Sequence, residues 1–122
     1  LPDNERHLTD AQIGAIRARD GWIGLNLYGR FLAHGRAATI DDCVAHTMHA
    51  ARIAGFDRVG LGSDLDGGFG RESLPEGIAS PCDYARLIRA LEEAGCAREG
   101  GTAAGFAHDN LLRAVRASGC LG

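Results

Sequence analysis

Two short apolar runs set the limits on what this chain can fold into. "WIGLNLY" at positions 22–28 and "RVGLG" at 58–62 are too short to be helices and read as strands buried on both faces. Helical segments alternate with them. Thr9 or Asp10 can cap a helix over positions 10–20, whose apolar Ile13 and Ile16 and small Ala15 precede the stop residue Gly21. Thr39, with Asp42 three residues on, opens a second helix that runs through Ala54 to Gly55. Ser80 and Pro81 place a cap and a first-turn proline ahead of "CDYARLIRALEEAG", and a final helical pair near 97–107 and 109–118 closes the chain. The order helix, strand, helix, strand, helix, helix predicts an α/β fold with a parallel sheet.

Two parallel strands cannot cover each other's edges or close a barrel, so the sheet is expected to continue outside these residues. Trp22, Leu25, Leu27, Val59 and Leu61 are then expected to be exposed in the chain alone. Such a chain should form a homo-oligomer, swap with a copy of itself, or stay loosely folded. With 13 basic against 16 acidic side chains and a net charge of −3, it carries no overall cationic field, so nucleic acid is not an expected partner.

Cys43, Cys82, Cys96 and Cys120 include no C-x-x-C pair and are expected to be reduced and buried, with two disulfides as the other arrangement. No signal-peptide pattern opens the chain, which makes the cytoplasm the default compartment, and Leu1 reads as a processing point or the edge of a longer sequence.

The sharpest chemical feature is "GLGSDLDGG" at 60–68, where an apolar strand runs out into a loop of some fifteen residues. Asp64 and Asp66 stand two apart, so a continuing strand would turn both carboxylates to one side, where each raises the other's pKa and one can shuttle a proton. The alternative is that both are turn-forming aspartates. An EF-hand is excluded, because counting from Asp64 puts Phe69 where its glycine belongs and Pro75 where its glutamate belongs. A dinucleotide fingerprint fails for want of its third glycine, and no serine sits in G-x-S-x-G. His46 and His49 lie one helical turn apart with Asp42 a turn earlier, a spacing that can share a metal. Mid-helix and without a third histidine, they read as ordinary helix surface.

Five segments, "RHLTDAQIGAI", "GWIGLNLYGRFL", "TIDDCVAHTMHAARIAGFDRVGLGSDLDG", "LPEGI" and "DNLLRAV", resemble in order and spacing the membrane dipeptidases, the renal dipeptidase family of metallopeptidases. The resemblance covers nearly the whole chain but only the C-terminal part of those enzymes, ending with the last two strands of a (β/α)8 TIM barrel. Such a barrel takes about 250 residues. Residues 1–122 are therefore expected to be a single partial domain, a fragment with two parallel strands and about five helical segments.

The resemblance implies dipeptide hydrolysis by a two-zinc centre, with a metal-bridging hydroxide as nucleophile. The family's zinc ligands, an H-x-D pair, a glutamate and two later histidines, all lie upstream, and none maps onto this chain. Asp64 matches the aspartate that passes a proton from the attacking water toward the leaving amine. Arg6 matches the arginine that binds the substrate's free carboxylate, a task suited to a planar guanidinium. Phe31 stands where some members carry a substrate-contacting tyrosine, and His7 stands where the family commonly has asparagine. Asp66, Asn26 and Tyr28 sit at strand ends, as support for the site or as loop-ordering residues. The implied partners are a dipeptide substrate and the missing N-terminal barrel half. The chain alone is expected to be inactive; the alternatives are a non-catalytic binding or assembly module and one half of a split enzyme.

Overall fold

The computed structural model describes residues 4–119. Strand β1 (Ile23–Asn26) pairs in parallel with β2 (Val59–Ser63), Ile23 opposite Val59, Gly24 opposite Gly60 and Leu25 opposite Leu61, before the register slips and sets Asn26 against Ser63. Helix α1 (Asp10–Ala18) precedes β1, and α2 (Gly29–Leu32) and α3 (Ile40–Ala54) connect the strands. Beyond β2 come α4 (Tyr84–Glu93) and α5 (Asn110–Ala117). Among the described residues the result is a mixed α/β fold of two parallel strands and five α-helices.

The helix starts follow from local chemistry. Thr9 with Gln12 and Thr39 with Asp42 form reciprocal capping boxes, each satisfying backbone N–H groups that a first helical turn leaves free. A third box, Ser80 with Asp83, opens a tight Pro81–Asp83 turn that leads into α4. Three expectations are corrected. The first helix stops at Ala18, and the left-handed turn residue is Asp20 (φ 56°), one before Gly21. The last two helical segments differ from the expected pair, because Cys96–Glu99 is only a short turn and the Gly105–Asp109 π-turn runs straight into α5. Helix α2, a single turn, was not expected.

The strands are apolar on one face only. Leu25 and Leu27 are buried in a core with Leu32, Cys43, Met48, Leu87, Leu91 and Phe106, while Val59 packs with Ile13, Ala51 and Ala54. The expected exposure therefore fails for Leu25, Leu27 and Val59, which the chain's own helices cover, and Trp22 and Leu61 are half-buried. The other strand positions are largely glycine: a Cβ on Gly24 would lie 2.9 Å from Gly62 Cα, and one on Gly60 3.0 Å from Trp22 Nε1. Glycine lets the strands approach beneath the indole. Cys43 and Cys96 are buried free thiols, but Cys82 is exposed, against expectation, because it sits in the turn at the start of α4; Cys120 lies outside the described residues.

At the strands' N-terminal ends, buried Asn110 donates to Phe56 O and Val59 O, both at 2.8 Å, and ties α5 to β2. Asp20 Oδ1 accepts from Arg58 at 2.7 Å and Arg113 at 2.9 Å. At the opposite ends, Leu74, Pro75 and Ile78 anchor the long loop, with Glu76 N donating to Ala38 O at 2.8 Å. That leaves positions 64–70 beside the C-terminal ends of both strands.

Candidate active site

Strand β2 ends by turning its chain into the left-handed region at two consecutive residues, Ser63 (φ 54°) and Asp64 (φ 64°). Left-handed backbone costs an L-residue about 1–2 kcal/mol, and such strain gathers at functional sites. Asn26 catches the displaced carboxylate: its Nδ2 donates to Asp64 Oδ2 at 2.8 Å, while its Oδ1 accepts from Tyr28 N at 2.7 Å. Because the Tyr28 N–H can only donate, it fixes which end of the amide faces Asp64. Oδ1 of Asp64 lies against Gly67, where a Cβ would come within 2.5 Å of it and 2.8 Å of the Phe69 ring. The strand does not continue to Asp66, so the expected alignment of two carboxylates on one strand face does not occur; Asp66 is exposed in the turn.

Arg6 stands in a turn at positions 4–7. Its own N–H donates to Asn4 Oδ1 at 2.9 Å, and its exposed guanidinium lies 5.4 Å from the centre of the Phe31 ring. Phe31 meets Tyr28 edge-on at 5.0 Å, and Tyr28 meets Phe69 at 4.7 Å. An aromatic row thus runs from Arg6 to the loop that carries Asp64. A cavity of about 490 Å³ is lined by Arg6, Phe31, His46 and all of β1. Asp64 is not among its lining residues, but Asn26 both lines it and holds Asp64. This arrangement offers a cation over an aromatic ring for an anionic group, and an oriented carboxylate for proton transfer.

His46 and His49, read as ordinary helix surface, answer to separate partners. His46 turns its Nε2 to Leu32 O at 3.2 Å and its ring to His7 at 4.9 Å, whereas His49 meets Asp10 at 2.8 Å. Asp42 is held by Arg36 through two 2.7 Å bonds, which, with the Thr39 N–H and hydroxyl, keep its carboxyl far below the usual range against the opposing effect of burial. The two-zinc site that the resemblance implies does not fit this chain: among the described residues no three His, Cys, Asp or Glu side chains converge to hold a metal ion. Burial pushes the Cys43 thiol up to about 12, which leaves it no thiolate for nucleophilic chemistry.

The sequence marks Asn26 as support for the site or as a loop-ordering residue without showing its partner, and it marks neither Gly67 nor the contacts of His7. A signal for Asn26 was present: asparagine is costly in a buried strand unless a partner waits at its end. Nothing local marked Gly67, whose constraint is a carboxylate brought near by the turn.

A dipeptidase of Schizosaccharomyces pombe, itself uncharacterized, is 33% identical over 90 residues, covering 72% of this chain and 21% of its own length. The solved structure of dipeptidase AC, a metallopeptidase of family M19, superposes with a TM-score of 0.77 at 30% identity over 91% of this chain and 32% of its own. A Rhodobacter sphaeroides metallopeptidase, liganded with a phosphinate mimic of the dipeptide L-Ala-D-Ala, gives a TM-score of 0.68 at 31% identity over 91% and 31%. The chain thus spans about a fifth to a third of the length of these relatives. The membrane dipeptidase model matches residues 1–119, and the chain belongs to that family, peptidase family M19.

Proposed function

We propose that the chain is the C-terminal portion of a (β/α)8 zinc dipeptidase and supplies the proton-transfer and substrate-carboxylate residues of its active site. The Asn26–Asp64 hydrogen bond at the C-terminal ends of both strands carries this reading, because catalytic groups of such barrels gather at that end. Asp64 takes a proton from the water that attacks the peptide carbonyl and returns it to the departing amine nitrogen as the C–N bond breaks. Water supplies the OH of the new carboxyl group and the H of the new amine. Asn26 holds Oδ2, so the proton passes through Oδ1. Arg6 binds the free carboxylate of the dipeptide, with its guanidinium steadied over Phe31.

Zinc, two ions in this reading, is held by the remainder of the complete enzyme. The cavity along β1 supports the same view, since it exposes an unpaired strand edge to a further strand, whether on the same polypeptide or on the other half of a split enzyme. The test is reconstitution. The chain alone should hold no zinc pair and hydrolyse no dipeptide, and adding the upstream barrel portion should restore both; two tightly held zinc ions and turnover by the chain alone would overturn the proposal.

A further inference from the structure

A single-turn helix has no later residues to satisfy its last carbonyls, and α2 ends beside the substrate-facing Phe31. Three successive carbonyls there are taken by side chains from elsewhere: Asn4 Nδ2 donates to Arg30 O at 3.4 Å, His7 Nε2 to Phe31 O, and His46 Nε2 to Leu32 O at 3.2 Å. A carbonyl only accepts, so both imidazoles must carry hydrogen on Nε2. The rings meet edge to face, 4.9 Å apart at 66°. Asn4 and His7 also close the turn that presents Arg6: Arg6 N donates to Asn4 Oδ1 at 2.9 Å, and His7 N donates to Asn4 O at 2.9 Å.

We infer that His46 is a positioning residue for substrate binding: through His7 and the end of α2 it fixes the Arg6 turn against Phe31, and so sets the carboxylate subsite without touching substrate. This rests on Arg6 being the carboxylate anchor. The groups around His46 agree with a neutral, donating ring. Burial lowers its pKa from 6.5, the Leu32 carbonyl opposes that shift, His7 adds to it, and Asp42 opposes it weakly while committed to Arg36. Asp10 is committed to His49 on the adjoining turn.

The experiment compares His46→Leu, His46→Gln and Arg6→Ala in the complete zinc dipeptidase, using a free dipeptide and the same dipeptide with its C-terminus amidated. His46→Leu should raise KM for the free dipeptide about tenfold with kcat within about twofold, and leave kcat/KM for the amide unchanged. His46→Gln, which keeps a side-chain N–H for Leu32 O, should recover most of that loss. Equal losses on both substrates, failure of glutamine to recover, or no change in KM while Arg6→Ala raises it would overturn the inference and leave the dipeptidase reading standing. If Arg6→Ala itself leaves KM unchanged, the carboxylate reading fails and the inference falls with it.

Discussion

Asn26 and Asp64 meet through a 2.8 Å hydrogen bond one step past the point where the backbone register of the two strands breaks. The slip brings Asn26 opposite Ser63, and the left-handed pair Ser63–Asp64 swings the next carboxylate toward the amide. A strained turn and its catch are thus supplied by different strands.

Removing the catch should therefore affect chemistry more than binding. In the complete enzyme, Asn26→Ala should lower kcat about tenfold with KM nearly unchanged. Gly67→Ala should act in the same direction, because its methyl group would sit 2.5 Å from Asp64 Oδ1. Steady-state kinetics check both, and wild-type kcat in Asn26→Ala would contradict the assigned role.

Asn110→Ala should lower the unfolding free energy by about 1–3 kcal/mol, since it leaves the carbonyls of Val59, at the start of β2, and of Phe56, in the turn before it, without their donor. Urea unfolding measures this directly. A change within about 0.5 kcal/mol would show that water replaces the amide at no cost.

Acid should loosen the fold in two stages. His46 has a folded pKa below its ordinary 6.5, so the unfolded chain takes up the proton first and stability falls as pH drops from about 6.5 through the folded value. Asp42, lowered chiefly by its Arg36 bonds, adds stability that is lost as pH falls below the ordinary carboxylate value of 3.8. Tm at pH 7.5, 5.5 and 3.5 should decline at both steps, with a smaller first step in His46→Gln; an identical Tm at pH 7.5 and 5.5 contradicts the His46 argument.

In the described sheet the outer edges of both β1 and β2 lack a neighbouring strand, and the cavity runs along β1. The chain alone should therefore associate at concentrations where the complete enzyme does not. Light scattering decides this, and a strictly monomeric chain with a sharp cooperative transition would count against an interrupted barrel.

The parts of this fold legible in sequence are those fixed by neighbours in the chain. The capping boxes at Thr9 and Thr39, the stop at Gly55 and the two strands all depend on residues within a few positions. What escaped depends on distant contacts. Leu25 and Leu27 are expected to be exposed because two parallel strands cannot cover themselves, yet side chains from distant helices, Met48, Leu87 and Leu91 among them, bury both. His46 and His49 share a helix spacing but answer to partners on different elements, His7 and Asp10. Asp64 was found by its place at a strand end, yet its conformation comes from a turn and a partner that no local pattern encodes.

The measurement closest to the central claim is dipeptide hydrolysis by the complete zinc dipeptidase that the proposed function implies, carrying Asp64→Asn, with zinc content determined on the same samples. Asparagine keeps the size of the side chain but cannot take up the proton from water. Zinc should remain at the wild-type level while kcat falls about 10²-fold or more. Wild-type turnover with Asp64→Asn would contradict the account and leave Asp64 as a residue that only forms the turn.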